Sequence, residues 1–177
     1  MKHTLVALLR DRPGVLNRAV SLLRRRGFNI ESLTVAPSET AGVSRMTMVI
    51  DVDDIARVIQ QFGRLIEVLD VSDAHEVAAV EREAVLVRID ATRDRLAELV
   101  SLITRAGARV VDTGPTATII ELCDTPSQVA AFVGELATFG VREVMRSGRL
   151  AMARAGDATR AAHYTCQADG GTDDAAA

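Results

Sequence analysis

Hydrophobic positions along this chain change period several times, and each change marks an element. Leu5 to Leu9 is apolar at every position within a strand-like run from His3 to Arg10, as expected of a strand covered on at least one face. Val15, Leu16, Ala19, Val20, Leu22 and Leu23 then recur at helical spacing, Arg18, Ser21, Arg24 and Arg25 take the other face, and Gly27 stops the helix. The basic run Arg24-Arg25-Arg26 complements the negative end of that helix. Phe28 to Ala36 predicts a second strand, closed by Pro37 and a polar loop through Gly42. From Ser44 to Val52 the pattern alternates, with Met46, Met48, Ile50 and Val52 on a buried face and Arg45, Thr47 and Asp51 on the other. Asp53 or Asp54 then caps a helix whose apolar stripe is Ile55, Val58, Ile59, Phe62 and Ile66, and Glu67 to Asp73 is a fourth strand. The order β-α-β-β-α-β predicts an α+β unit of the ferredoxin-like, split βαβ kind: two helices on one face of a four-stranded antiparallel sheet.

The same order recurs. Glu76 to Glu83 is charged and alanine-rich and reads as a linker, which puts one domain at 1–76 and a second at 77–155. Ala84 to Asp90 is strand-like, Leu96, Leu99, Val100 and Ile103 mark a helix face, and Gly107 stops that helix as Gly27 stopped the first, about 80 positions earlier. Strands Arg109 to Thr113 and Ala117 to Cys123 flank a Gly114-Pro115 turn. Thr125-Pro126 caps a helix carrying Val129, Phe132, Val133 and Leu136, and Val141 onward supplies the last strands. The second unit is therefore expected to be a diverged copy of the first, two ferredoxin-like domains in tandem. Residues 156–177 are small and polar, cannot offset their ordering entropy by burial, and are expected to form a disordered tail.

Composition narrows the function. A net charge of −3 gives no basic field for nucleic acid, and 3% aromatic residues leave almost nothing on which bases could stack. The apolar runs fall far short of the roughly 20 residues of a membrane span, and the chain begins with a strand pattern instead of a signal peptide, so a cytoplasmic location is expected. The two cysteines have no metal or redox spacing. Cys123 is expected to be a buried thiol and Cys166 a free thiol in the tail. His3, His75 and His163 share no ligand spacing, and the glycines form neither a P-loop nor a dinucleotide fingerprint.

One stretch carries candidate chemistry. Arg10-Asp11-Arg12-Pro13-Gly14-Val15 ends a strand and opens a helix, with Pro13 where a missing N–H costs nothing. Such a helix start offers unpaired N–H groups and a positive dipole end, which suit the carboxylate of an amino acid. Gly14 allows close approach, Asp11 can receive an ammonium, and Asn29 offers a donor and an acceptor. The same residue types also serve an ordinary strand-to-helix turn. In the second unit Ala91-Thr92-Arg93-Asp94 stands where the loop should be, so one ligand loop per chain is expected.

The segments Gly27-Phe28-Asn29-Ile30-Glu31-Ser32-Leu33-Thr34-Val35-Ala36, Ser44-Arg45-Met46-Thr47, Glu81-Arg82-Glu83 and Arg146-Ser147-Gly148 resemble, in order and spacing, the small regulatory subunits of acetolactate synthase (acetohydroxyacid synthase). The resemblance covers about residues 1 to 155 and implies that the first domain is an ACT domain. It further implies a non-catalytic chain that activates a large, thiamine-diphosphate-dependent catalytic subunit and mediates feedback inhibition by a branched-chain amino acid, usually valine. Thiamine diphosphate, Mg and FAD would then belong to the catalytic subunit, and this chain would carry no cofactor. ACT domains of the family pair, so a homodimer or higher homo-oligomer is implied, with the effector at the interface. Carried across, Asp11 and the backbone at Gly14 and Val15 would hold the effector's charged groups, and Asn29 and Ile30 would come from the paired subunit. Val15 and Leu16 would line the side-chain pocket, although Leu16 is expected chiefly to pack in the core. Many members carry asparagine where this chain has Asp11, so this chain is expected to set an additional negative charge beside the effector's charged groups. Two other readings stand beside this one: a stand-alone ACT-type amino-acid sensor of another pathway, and a small acylphosphatase-like enzyme. In the latter Arg12 would hold phosphate and Asn29 would orient water, with Asp11 repelling the anion.

Overall fold

The computed structural model describes residues 1–74, 79–90 and 94–155. In the first unit, β1 (Lys2–Arg10), α1 (Val15–Arg25), β2 (Asn29–Pro37), β3 (Val43–Asp51), α2 (Ile55–Phe62) and β4 (Val68–Asp73) build one antiparallel sheet of order β2-β3-β1-β4. Strand alternation sends Leu5, Ala7 and Leu9 of β1 and Met46, Met48 and Ile50 of β3 to one face, where Val15, Ala19 and Leu23 of α1 and Val58 and Phe62 of α2 pack on them. Asp54 starts α2, its Oδ1 accepting the Arg57 N–H at 3.0 Å.

The second unit repeats the plan with β5 (Ala79–Asp90), α3 (Leu96–Ala106), β6 (Arg109–Thr113), β7 (Ala117–Asp124), α4 (Pro126–Leu136) and β8 (Val141–Ala153), in the order β6-β7-β5-β8. Its core gathers Val85, Val87, Ile89, Ile120 and Leu122 under Leu99, Ile103, Val129 and Phe132. The repeat extends to an irregularity: each unit's outer second strand bulges at the equivalent place, between Ile30 and Ser32 in β2 and between Val110 and Asp112 in β6. The tandem α+β, ferredoxin-like architecture expected from the periodicities is thus the one found.

Several local expectations are corrected. The alanine-rich segment read as a linker is strand from Ala79 onward, and residues 79–83 pair with the far end of β8, from Ala79 opposite Ala153 to Glu83 opposite Arg149. Small and charged residues were a poor guide because their partner strand lies about 70 residues downstream. That ribbon crosses the outer face of the first sheet. Ala79 and Ala151 pack on Val6 and Ala74, and Thr4, Thr47 and Val49 are buried although they face away from α1 and α2. Both faces of β3 are therefore covered, not one. Ile66 does not belong to the α2 stripe: the helix ends at Gly63, whose N–H donates to the Ile59 carbonyl at 2.9 Å, and the turn leaves Ile66 85% exposed. In α3 the buried stripe is Leu99, Leu102 and Ile103, while Leu96 and Val100 are exposed. Cys123 is exposed, because its place opposite Ala84 in β7 puts it on the sheet face that no helix covers. Residues 75–78, the segment Ala91-Thr92-Arg93 and the tail with Cys166 lie outside the described residues.

Candidate functional site

The loop between β1 and α1 is tied down on both sides by backbone hydrogen bonds. The Arg10 N–H donates to the Glu67 carbonyl at 2.9 Å and the Asp11 N–H to the Gly42 carbonyl at 2.7 Å. These bonds place the loop at the end of the sheet where β2 runs out and β3 begins. Gly14 is the N-cap of α1 with φ +83°, a left-handed conformation that L side chains adopt only at a cost. No side chain caps this helix, and its first turn carries no acidic residue. The Val15 N–H turns back to the Arg12 carbonyl at 3.3 Å, and Arg18 is the first residue to bond the Gly14 carbonyl, at 3.0 Å. The N–H groups of Leu16 and Asn17 belong to the stretch of helix that has no intrahelical acceptor. Open space surrounds the position a Cβ would take on Gly14. The result is a positive, uncapped helix end with an exposed carboxylate, Asp11, one short loop away.

The side chains of the first turn take duties opposite to those expected. Val15 is 5% exposed and sits in the core, while Leu16 is 41% exposed and lies on the surface beside the loop. Of the two, it is Leu16, not Val15, that leaves its side chain exposed at the start of the helix. Helical periodicity alone placed both on one face and left open which of two adjacent residues points inward.

Asn29 and Ile30 lie elsewhere. Asn29 pairs with Asp51, which pairs with Lys2, so Asn29 is level with the start of β1. Arg10 ends the same nine-residue strand, and at ~3.4 Å per residue the loop and Asn29 are about 27 Å apart along the sheet. A single chain does not bring Asp11, Gly14 and Asn29 together, nor Arg12 and Asn29. The arginine–asparagine pair of an acylphosphatase-like site is therefore not assembled. Asn29 is exposed and Ile30 half-buried against the core. Beside them the Met1 ammonium approaches Asp51 at 2.9 Å. That hydrogen bond, ahead of the desolvation that opposes it, raises the ammonium pKa, and the same bond lowers that of the Asp51 carboxyl.

β2 is an edge strand, and its helix-side residues Leu33 and Val35 are 37% and 38% exposed. Such an edge leaves a row of backbone groups and two apolar side chains open to the surroundings. A cleft of about 540 Å³ lies away from the loop, at the junction of the two units, lined by residues including Ala74, Arg82, Thr125, Arg149 and Arg154. Among the described residues no cluster of three or more His, Cys, Asp or Glu side chains is arranged to hold a metal, and no helix is long and apolar enough to cross a membrane.

The structure adds residues that the sequence reading passed over. Ser32 and Thr34, on the outer face of β2, bond to the backbone of β8: Thr34 Oγ1 donates to the Ser147 carbonyl at 2.9 Å, and Ser32 Oγ accepts the Arg149 N–H at 3.3 Å. Arg149 reaches further, its Nη1 donating to Thr4 Oγ1 at 3.0 Å. The hints in the sequence were polar residues on the outer face of a strand and the presence of Ser32, Thr34 and Ser147 in the segments that carry the family resemblance.

Comparison with known proteins agrees with this architecture. Residues 5–70 match the family model of the AHAS small subunit-like ACT domain, and residues 82–155 match that of the small subunit of acetolactate synthase. The chain is 43% identical over 156 residues to the probable acetolactate synthase small subunit of Archaeoglobus fulgidus, covering 87% of this chain and 98% of that one. It is 36% identical over 154 residues to the acetolactate synthase small subunit of Mycolicibacterium smegmatis, covering 86% and 91%. The crystal structure of the acetolactate synthase small subunit from Thermotoga maritima superposes with a TM-score of 0.79 at 34% identity, covering 87% of this chain and 98% of that one.

Proposed function

Because the chain belongs to the acetolactate synthase small-subunit family, we propose that it is a non-catalytic regulatory subunit that activates the catalytic subunit and makes it sensitive to a branched-chain amino acid, valine first. The catalytic subunit would supply thiamine diphosphate, Mg and FAD, and this chain the effector site. The observation that carries the reading is the uncapped start of α1 behind Gly14, with the carboxylate of Asp11 beside it. A free amino acid presents a carboxylate to the helix end and an ammonium to Asp11. Leu16 offers a partner to an aliphatic side chain.

The distance between loop and Asn29 supports a site shared by two copies. If two β2 edges pair antiparallel about a two-fold axis, the Asn29 end of one strand lies beside the Pro37 end of the other. The loop is bonded to that same end through the Gly42 carbonyl. The partner's Asn29 and Ile30 would then close the mouth that Asp11, Gly14 and Val15 open, and Leu33 and Val35 would be covered by the pairing. Regulation follows from differential binding: valine favours one arrangement of the pair, and the catalytic subunit responds differently to the two, with a coupling of about 1 to 3 kcal/mol.

Calorimetric titration of the full chain with valine, leucine and isoleucine, followed by capture of partners from native extract on the immobilised chain, tests this. Binding of at least one of the three and recovery of a thiamine-dependent enzyme of larger chain length are expected. A chain that binds an amino acid yet recovers no such enzyme would instead be a sensor of another pathway.

A further inference from the structure

The contact between β2 and β8 is built with more care than a passing surface contact requires. In β8, Ser147 and Gly148 form a bulge opposite Ala84, since Glu83 pairs with Arg149 and Val85 with Arg146. The Ala84 N–H, displaced from the ladder, donates to Ser147 Oγ at 3.0 Å. The bulge pushes Gly148 against β2. Gly148 has φ +79°, and a Cβ there would lie 2.6 Å from Thr34 Oγ1 and 2.7 Å from Ser32 Oγ. Turning either hydroxyl aside to make room would break its bond to β8. Glycine is thus required twice at this position, by backbone conformation and by close approach.

Among the described residues the apolar part of the junction is small: Val6, Ala74, Ala151 and Ala79, with Val49 buried on the same outer face, and small side chains bury little area. Two units joined over so little apolar surface are expected to move relative to each other unless specific bonds hold them. Among the described residues, bonds of this kind run from Ser32, Thr34 and Thr4 on the first sheet to Ser147 and Arg149 on β8. Ser32 and Thr34 also follow Asn29 and Ile30 on the same strand, separated from them only by the β2 bulge.

We propose that Ser32 and Thr34, seated against Gly148, form a latch through which occupancy of the effector site is passed to the second unit. The proposal rests on the effector reading given above and deepens it. Ser32 and Thr34 are positioning residues. Effector held at Asn29 and Ile30 changes the twist of the bulged segment, and the two hydroxyls carry that change to β8, which pairs with β5 along its length. The two states are the latch engaged and the latch released.

The test uses the full chain, alone and reconstituted with its catalytic subunit, with valine as probe. In Thr34→Val and in Ser32→Ala, valine binds to the chain within about twofold of the wild-type dissociation constant, while the valine-dependent change in holoenzyme activity shrinks about fivefold or more. Hydrogen exchange reports a valine-induced change at residues 147–149 in the wild type and none in Thr34→Val. Thr34→Ser, which keeps the hydroxyl, restores both readouts, and Gly148→Ala, if it folds, behaves as Thr34→Val. Wild-type inhibition in Thr34→Val and Ser32→Ala would overturn the latch and leave the effector site standing. Loss of inhibition in step with loss of valine binding would also overturn it, assigning these residues a structural role. A wild-type chain that binds no valine would overturn the effector reading and the latch with it.

Discussion

Gly14→Asp separates what the loop does for the fold from what it does for a ligand. A Cβ at this position meets nothing within 4 Å, so the steric cost is confined to the left-handed backbone, about 1–2 kcal/mol for an ordinary L residue and less for Asp. A carboxylate at the start of α1 returns about 0.3–1 kcal/mol through the helix dipole. The net effect on stability is about 1 kcal/mol or less, a fall of roughly 2–4 °C in Tm for a chain of this size. The ligand experiences a larger change. Two like charges about 4 Å apart at an effective dielectric of about 20 repel by about 4 kcal/mol. Screening by salt at this exposed loop brings that to roughly 2 kcal/mol, or about 30-fold in affinity. The assay is calorimetric titration with valine beside a thermal melt, with Gly14→Asn as the control that has the same shape and backbone demand but no charge. Gly14→Asp should lose valine binding about 30-fold with Tm nearly kept, and Gly14→Asn should lose far less. Equal affinities in the two variants would refute the charge argument, and wild-type affinity in Gly14→Asp would refute the location.

Three other outcomes are expected. Phe62 is fully buried and Ile66 is 85% exposed, so Phe62→Ala should cost about 3–5 kcal/mol in denaturant unfolding while Ile66→Ala stays within about 0.5 kcal/mol; similar costs would return Ile66 to the core. In a Cys166→Ser chain, Cys123 should react with a thiol reagent without denaturant, and a thiol silent until unfolding would contradict its exposure. The bond between Met1 and Asp51 raises the ammonium pKa and lowers the carboxyl pKa. Its support is present above the ordinary carboxylate range and fades as pH falls through the lowered Asp51 value; it is present below the ordinary ammonium value and fades as pH rises through the raised one. N-terminal acetylation should therefore move the Asp51 titration upward in an NMR experiment, and an unmoved Asp51 would show that the ammonium is not the cause.

Hydrophobic period was enough to read both units, because the central strands and the helices have one face against their own core: Met46, Met48 and Ile50 alternate, and Val58 and Phe62 stand one helical turn apart, while β6, read from Val110 and Val111, is exposed throughout. It failed where burial comes from elsewhere in the chain. Ala79 to Glu83 reads as linker because its apolar partners are Val6 and Ala74 in the other unit and its ladder partner is the end of β8. Leu16, Leu96 and Val100 are apolar yet exposed, and their period matches that of residues buried within the chain. Cys123 followed the same error, a residue type usually buried placed on an uncovered sheet face. The loop itself was legible, since Pro13, Gly14 and the helix that follows have local causes. The separation of Asn29 from that loop was not, because strand register is set by pairing between residues far apart in sequence.

The central claim is that one effector site is made by two chains, and mixing two defective proteins tests it. Gly14→Asp and Asn29→Ala homodimers should each bind valine poorly. After unfolding and refolding together, half of the dimers would be mixed, each rebuilding one intact site from the unaltered loop of one chain and the unaltered Asn29 of the other, so about a quarter of wild-type valine sites should return in a titration. No recovery on mixing, from chains shown to form mixed dimers, would contradict a shared site.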